Sequence, residues 1–147
     1  MGKDVKAKRK KEFAEPKYEL VAIETVKLHE EVIPARVDEV ADDIKKRGIV
    51  LEPIVVDDKH HIVLNGHHRL AALRKLGAKR IPAFVVPYEA TYITVDRWPG
   101  STWYKKTVTK EDVLEAGLTQ KLMTPHTSRH KFLIHLEQVQ TPLEKLM

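Results

Sequence analysis

The turn Asn65-Gly66-His67-His68-Arg69 has the residue types and the setting that phosphate binding requires. It lies between an apolar run at 62–64 and an amphipathic run at 70–76, so the sequence predicts a strand, a glycine turn and a helix. The first turn of a helix exposes unpaired backbone N–H groups, and the helix dipole adds partial positive charge there. An arginine and two histidines beside those amides predict a phosphate cradle. The alternative is an ordinary turn with solvated side chains, because short glycine motifs also arise by chance.

A second group of hydrogen-bond donors lies near the carboxyl end, at Thr127, Ser128, Arg129 and His130. It combines hydroxyl, guanidinium and imidazole groups and contains no acidic residue. Arginine offers a planar fork to phosphoryl oxygens. If the two groups converge, Arg69 and Arg129 could neutralise the charge on a transferring phosphoryl group. The alternative is a solvated loop in front of a strand or turn.

Glu30, which follows His29 after the first predicted strand, is the candidate general base. A phosphotransferase needs a group that positions and deprotonates the acceptor hydroxyl, and such a base typically contributes on the order of 10²–10⁴-fold. Most loop glutamates are solvated surface residues, so the two donor groups give Glu30 its significance. Trp98 could form a wall against a nucleotide or substrate, although a loop aromatic is more often a packing lid.

The eight histidines do not form a zinc-binding pattern. His67 and His68 are adjacent, as are His60 and His61, and neighbouring side chains diverge in helices and strands. No helical pair of histidines four residues apart encloses a carboxylate. The chain also has no cysteine, which excludes disulfides, thiolate nucleophiles and cysteine-ligated metals. We therefore predict no metal-ligating residues.

The elements that must position these groups follow from hydrophobic periodicity. We predict a strand in 18–26, a helix over about 37–47 that ends at Gly48, a hairpin of 54–56 with 62–64, strands at 81–86 and 92–95, a capping-box helix from Thr109 to Ala116, and a short terminal helix from Thr141. Segments 96–106 and 123–130 are predicted as loops. This mixture indicates an α+β domain with a small mixed sheet and flanking short helices.

Composition predicts one domain behind a basic leader. The 147 residues suffice for a single core, and the net charge is +5. Residues 1–17 carry seven basic and three acidic side chains, so most of that excess lies there. We expect 1–17 to be a flexible leader that could contact nucleic acid, and 18–147 to fold as one domain. No apolar run reaches the roughly 18–20 residues of a membrane span, so we expect no membrane partner. The absence of cysteine and of an apolar stretch behind the basic N-terminus favours a cytoplasmic location.

The stretch from Val32 to Val86 resembles the ParB/sulfiredoxin superfamily, with a helix that ends at Gly48, the segment Glu52–Val56, a hairpin and the glycine turn. Over nearly everything after residue 17, the chain also resembles the archaeal ADP-dependent free serine kinases of that superfamily. The resemblance rests on three motifs in the same order, His29-Glu30, Gly66-His67-His68-Arg69 and Thr127-Ser128-Arg129-His130. It implies a ParB/sulfiredoxin-like fold, while the sequence itself leaves a monomer and a homodimer both open. It also implies a kinase that transfers the terminal phosphoryl group of ADP or ATP to a hydroxyl, with free L-serine as the leading acceptor and Mg²⁺ as cofactor.

The same resemblance implies roles for individual residues. Glu30 would be the base, and Asn65, His68 and Arg69 would complete the catalytic set. The phosphate-binding residues would be Gly66, His67, His68, Arg69, Thr127, Ser128, Arg129 and His130, and Glu30, Trp98, Thr127, Arg129 and His130 would contact the substrate. The kinases have aspartate where this chain has Asn65, whose amide offers Mg²⁺ one oxygen but no charge.

Two other functions stay open from the sequence, and a third is excluded. A non-catalytic nucleotide- or DNA-binding ParB-like module would keep the phosphate turn without turnover, and Asn65 and the basic leader point to it. A nuclease would need a cluster of carboxylates for metal-assisted hydrolysis, which the sequence does not present. Sulfiredoxin activity is excluded, because its nucleophilic cysteine would stand at His67 and the chain has no cysteine.

Overall fold

The computed structural model describes residues 13–147, so most of the predicted leader, residues 1–12, lies outside the described part. Its strands are β1 (Lys17–Ala22), β2 (Ile49–Val50), β3 (Ile54–Asp57), β4 (Val63–Asn65), β5 (Arg80–Val86), β6 (Ile93–Arg97), β7 (Ser128–Phe132) and β8 (Thr141–Pro142). Its α-helices are α1 (Pro34–Arg47), α2 (His67–Lys75) and α3 (Lys110–Thr119), and short 3₁₀ helices cover Ile23–Thr25 and Leu143–Leu146.

The main sheet has four strands in the order β1-β5-β3-β4 and is mixed. β5 runs antiparallel to β1 and parallel to β3, and β4 returns antiparallel to β3 as the predicted hairpin. Two small antiparallel pairs, β2 with β8 and β6 with β7, complete the strand pairing of residues 13–147. The predicted α+β fold with a small mixed sheet is therefore confirmed.

The core lies on both faces of the main sheet. All four residues of β3 are buried, as expected of a central strand that is covered on both sides. Ile54 and Val56 face α1 and α2, which contribute Ile44 and Leu70 among other apolar side chains. Val55 points the opposite way, into a second apolar cluster that also contains residues of α3. Helices α1 and α2 pack against each other and hold one wall of a cleft.

Four predicted boundaries are wrong for identifiable reasons. The terminal helix predicted from Thr141 begins at Leu143 as a 3₁₀ helix, because Thr141 and Pro142 pair with β2 as strand β8. The strand predicted through Val26 ends at Ala22, where a 3₁₀ turn begins. Helix α1 starts at Pro34 rather than at 37, since proline suits the first helical turn, where its missing N–H is not needed. Helix α3 continues through Gly117 instead of stopping before it. A Cβ on that glycine would lie 2.6 Å from Cδ1 of Ile62, so the residue is small for close packing and does not end the helix.

Two segments that were predicted as loops are partly strand. β6 extends through Arg97 and β7 begins at Ser128, and the register pairs Asp96 with Arg129. This pairing joins segments more than 30 residues apart in the sequence, and local polarity does not reveal it. The predicted capping box is confirmed, because the Thr109 hydroxyl accepts from the Asp112 N–H at 3.1 Å and the carboxylate accepts in return at 3.0 Å. Among the helices between residues 13 and 147, none has the length and apolar character needed to cross a membrane.

Candidate active site

The predicted phosphate turn connects β4 to α2 through Gly66. Its φ of 108° is a conformation that suits glycine, and a Cβ there would lie only 2.5 Å from Cγ2 of Ile54. The backbone therefore passes tightly over the central strand before the helix starts at His67. The first-turn amides of α2 have no acceptor within the helix, and the helix dipole adds positive potential at the same end. The structure therefore has the strand, glycine turn and helix that the sequence predicts at this position.

The two histidines of the turn act as neutral groups. Nε2 of His67 accepts from the His29 backbone N–H at 3.3 Å, and Nε2 of His68 accepts from the Ile33 N–H at 3.0 Å. Burial lowers the pKa of His67 well below its usual range. Burial and the neighbouring His126 ring also lower the pKa of His68. Near pH 7 the positive charge of this turn therefore comes from the helix dipole and from arginine.

Arg69 is held against the backbone that precedes β3. Its Nη1 donates to the carbonyl oxygens of Glu52 at 2.8 Å and Pro53 at 2.7 Å. The Glu52 carboxylate lies 4.0 Å away, at the limit of an ion pair. Burial lowers the pKa of Arg69, but an arginine remains protonated at any ordinary pH. The guanidinium thus supplies a fixed positive charge to the wall of the cleft.

Glu30 is a buried carboxylate, only 7% exposed, held from two sides. The backbone of its loop is tied to Met123, which donates to the carbonyl of His29 at 2.9 Å and accepts from the N–H of Glu31 at 2.8 Å. The carboxylate accepts from the Ser128 N–H at 2.9 Å, from the Thr127 N–H at 3.4 Å, and from the Ser128 hydroxyl. The second donor group therefore contacts the predicted base directly.

The pKa of Glu30 reflects these contacts. Burial alone would raise that pKa, but His29, His67 and the Ser128 hydroxyl outweigh it and lower the pKa to about 2. Glu30 is therefore ionised throughout the neutral range and is ready to accept a hydrogen bond from a hydroxyl. The same low pKa makes Glu30 a weak proton acceptor on its own.

A cleft of about 550 Å³ brings the predicted groups together. Its lining includes Glu30, Asn65, Gly66, His67, His68, Arg69, Trp98 and Ser128. The cleft lining also includes the half-buried apolar residues Val40, Ile49 and Leu51 and a second cation at Arg36. Sequence reasoning missed these four residues, because their place in the cleft depends on how α1 packs beside α2.

Three residues of the second donor group lie outside that lining. Thr127 is fully buried, and its hydroxyl contacts those of Ser101 at 2.7 Å and Thr124 at 2.8 Å. Arg129 pairs with Asp96 at 2.9 and 3.1 Å and stacks 4.8 Å above the Trp98 ring. His130 is largely buried, Tyr88 contacts its Nε2 at 2.7 Å, and burial lowers its pKa to about 3.

The structure places Arg69 in the cleft lining and Arg129 outside it, paired with Asp96. Successive side chains of a strand point to opposite faces, so Ser128 and His130 of β7 turn toward His29 while Arg129 turns away. The second donor group reaches the cleft through Ser128, whose hydroxyl contacts Glu30 and His29. Sequence reasoning treated His29 only as a neighbour of Glu30, yet its ring is fully buried between Ser128 and Val63.

Among residues 13–147, no group of three or more histidine, aspartate or glutamate side chains could hold a metal ion. Asn65 lines the cleft and is exposed. A side-chain amide oxygen is the kind of ligand that Mg²⁺ accepts together with phosphate oxygens and water.

Curated relatives and solved structures resemble this chain. It is 33% identical over 84 residues to the ATP-dependent L-serine kinase of Staphylothermus marinus, an alignment that covers 54% of this chain and 33% of that protein. It is 38% identical over 101 residues to the enzyme of the same name from Desulfurococcus mucosus, covering 63% and 39%. A ParB-like protein of Sulfolobus acidocaldarius is 34% identical over 80 residues, covering 54% and 40%. The matched part is thus well under half the length of these relatives.

A solved free serine kinase in complex with AMP has the same fold, with a TM-score of 0.78, 16% identity, and coverage of 91% of this chain and 95% of that one. SbnI from Staphylococcus aureus, solved with a C-terminal truncation, matches with a TM-score of 0.72 at 14% identity, covering 88% of each chain. Residues 4–95 match the model of the ParB N-terminal domain. The expected resemblance is confirmed, and the chain belongs to the ParB N-terminal domain family.

Proposed function

We propose that this chain is a small-molecule kinase that transfers the terminal phosphoryl group of ADP or ATP to a hydroxyl, most directly that of free L-serine. One observation carries the proposal, namely that the same cleft is lined by a buried carboxylate, Glu30, and by a helix amino terminus at Gly66–Arg69. Phosphoryl transfer depends on positioning and charge stabilisation more than on covalent chemistry. Relatives that are named L-serine kinases support the same proposal.

The two ends of the cleft suit the two ends of a nucleotide. We infer that the phosphates lie at the amino terminus of α2, where Arg69 adds fixed charge. The base would then pack on the half-buried apolar side chains of Val40, Ile49 and Leu51 at the other end. Arg36 is available to the phosphates or the ribose from α1.

The acceptor hydroxyl would lie between the terminal phosphate and Glu30, with Trp98 as the outer wall. Trp98 lines the cleft and is 41% exposed, so a small substrate can contact its ring without displacing core residues. The ionised Glu30 carboxylate would accept the hydroxyl proton as the acceptor oxygen bonds to phosphorus. Arg129 would act indirectly, because it stacks on Trp98 and fixes that ring.

We propose that Mg²⁺ enters this site with the nucleotide. Magnesium usually keeps several waters and binds through substrate phosphates and one or two protein oxygens. The Asn65 amide would supply one such protein oxygen, but that oxygen carries no charge. When bound, the ion would neutralise charge on the phosphates and leave Glu30 to the acceptor.

The direct test is an assay of the purified chain with L-serine, Mg²⁺ and either ADP or ATP, in which O-phosphoserine is measured by mass spectrometry. Glu30→Gln should abolish turnover and leave nucleotide affinity within about twofold by calorimetry, because Glu30 serves the acceptor. Glu24→Gln, at an exposed glutamate outside the cleft lining, is the matched control. Absence of product with both nucleotides, across a panel of small hydroxyl compounds, would rule out the kinase.

A non-catalytic nucleotide- or DNA-binding module is the second candidate, and Asn65 is the observation that favours it. An amide at that position gives Mg²⁺ less support than a carboxylate does. This candidate predicts nucleotide binding without turnover, or salt-sensitive DNA binding that is lost when the basic leader is removed. Unchanged DNA affinity after that removal would argue against a role for the leader.

A further inference from the structure

Three side chains form a continuous hydrogen-bond chain at the back of the cleft. The Ser128 hydroxyl contacts Oε2 of Glu30, and the same Oγ lies 2.7 Å from Nε2 of His29. Nδ1 of His29 lies 2.5 Å from the carbonyl oxygen of Val63. His29 is fully buried and Glu30 nearly so, whereas Ser128 borders the cleft. The chain therefore leads from the reaction site into the protein interior.

Counting protons in this chain gives a definite result. The Val63 carbonyl can only accept, so Nδ1 of His29 must carry a proton. Ser128 has one hydroxyl proton, and an ionised carboxylate can only accept. Each of the three contacts, His29 to Val63, His29 to Ser128 and Ser128 to Glu30, needs one proton to be a hydrogen bond. Neutral His29, Ser128 and ionised Glu30 supply only two such protons, so one more is required. The contacts are satisfied either with Glu30 protonated or with His29 as an imidazolium, and a shift through the Ser128 hydroxyl interconverts these forms.

We propose that Ser128 and His29 form a relay that takes over the proton that Glu30 removes from the acceptor hydroxyl, a role that rests on the proposed kinase activity. The acceptor oxygen bonds to phosphorus, the bond to the leaving nucleotide oxygen breaks, and the acceptor proton passes to Glu30. That proton moves on to Oγ of Ser128 as the serine's own proton moves to Nε2 of His29. The reverse shift returns the proton to the cleft after the product leaves.

The surroundings of His29 favour this assignment. The titratable groups that face its ring are Glu30, His67 and His130, with ring centroids 4.3 Å away for His67 and 5.9 Å for His130. Burial lowers the pKa of both neighbouring histidines, so both are neutral near pH 7 and neither repels a proton on His29. The pKa of Glu30 is only about 2, so Glu30 alone holds a proton weakly. A second proton acceptor, linked to Glu30 through Ser128, lets Glu30 pass that proton on and act as a base near neutral pH.

Substitutions at Ser128 separate the relay from simple positioning. In Ser128→Ala the backbone N–H that holds Glu30 at 2.9 Å remains, and only the bridging hydroxyl is lost. We expect the single-turnover rate of phosphoryl transfer to fall on the order of 10²-fold with nucleotide affinity unchanged. Ser128→Thr keeps a hydroxyl and should recover most of the rate. Thr25→Ala, which removes a hydroxyl from an exposed 3₁₀ turn, is the control.

Two further readouts report on the relay itself. In mixtures of H₂O and D₂O, the wild-type rate should depend on deuterium content along a curve, because more than one proton moves, and Ser128→Ala should give a straight line. In ¹⁵N-histidine NMR, Ser128→Ala should shift the Nε2 signal of His29 and leave that of exposed His60 in place. The NMR comparison does not require turnover.

The outcomes distinguish the relay from the kinase. A wild-type protein that makes phosphoserine, with Ser128→Ala equally fast, overturns the relay and leaves the kinase standing. Ser128→Thr as slow as Ser128→Ala, or a His29 signal that Ser128→Ala does not move, also overturns the relay. A wild-type protein that phosphorylates no hydroxyl compound with either nucleotide overturns the proposed function, and the catalytic relay with it.

Discussion

At the residue scale, the account depends on one buried carboxylate. Glu30 is ionised because His29, two backbone N–H groups and a serine hydroxyl stabilise its charge more than burial penalises it. A carboxylate held in this way orients an acceptor hydroxyl well, but it holds a proton taken from that hydroxyl only weakly. The low pKa of Glu30 therefore makes it a weaker base in catalysis, and it makes the free energy of unfolding depend on pH.

The stability consequence is a defined pH dependence. The folded-state pKa of Glu30 is about 2, below its ordinary value of 4.5, so its ionised form stabilises the fold above pH 4.5 and that contribution disappears as the pH falls toward 2. The shift corresponds to roughly 3 kcal/mol at most. Urea unfolding between pH 6 and pH 2.5 should show a smaller loss of unfolding free energy in Glu30→Gln than in the wild-type protein.

The control for that measurement is Glu24→Gln, which removes an exposed carboxylate and should keep the wild-type slope. Identical slopes in wild type and Glu30→Gln would contradict the lowered pKa.

At the element scale, the decisive unit is the β4–α2 connection. The sequence predicted this strand, turn and helix because the signals are local, with an apolar run, a glycine and helical spacing in succession. It also predicted the β3–β4 hairpin and the α3 capping box for the same reason. The β6–β7 pair was missed, because the partners of Asp96 and Arg97 lie some 30 residues away and are polar. Local polarity there predicted loops.

The β4–α2 connection makes a direct prediction for Gly66→Ala. The added methyl group would lie 2.5 Å from Cγ2 of Ile54 at a φ of 108°, so both the backbone and the packing must shift. We expect a loss of stability of about 2–4 kcal/mol together with a clear loss of ADP affinity. Thermal unfolding and calorimetry measure the two effects.

Gly100→Ala is the matched control for this substitution. Gly100 also has a positive φ, of 84°, but a Cβ there would meet no atom within 4 Å, so it shows the backbone strain alone. If the two variants lost the same stability, the close approach to Ile54 would not matter.

At the scale of the whole molecule, the cleft exists because distant segments meet. Glu30 and Ser128 are 98 residues apart in the chain, and the Met123 bridge and the β6–β7 pair bring them together. The similar residue types of the two donor groups and the family resemblance predicted that these segments form one site. The details could not be predicted, since strand alternation turned Arg129 toward Asp96 and left Ser128 in the cleft.

The proposed division of the cleft into a base end and a phosphate end can be tested by filling one end. Val40→Trp places a large side chain at the apolar end, and Val40 is only partly buried, so the helix can carry it. We expect ADP affinity to fall at least tenfold, because the base would lose its space, and pyrophosphate affinity to stay unchanged. Equal losses for both ligands would show that the substitution damages the whole cleft.

The central claim is that the carboxylate and the helix amino terminus of this cleft perform phosphoryl transfer. The most direct measurement is O-phosphoserine formation from L-serine with Mg²⁺ and ADP or ATP, in the wild-type protein and in Glu30→Gln. The account predicts product with the wild type and none with Glu30→Gln, while both bind the nucleotide with similar affinity. Product formation by Glu30→Gln at the wild-type rate, or nucleotide binding by the wild type without product from any hydroxyl compound, would contradict it.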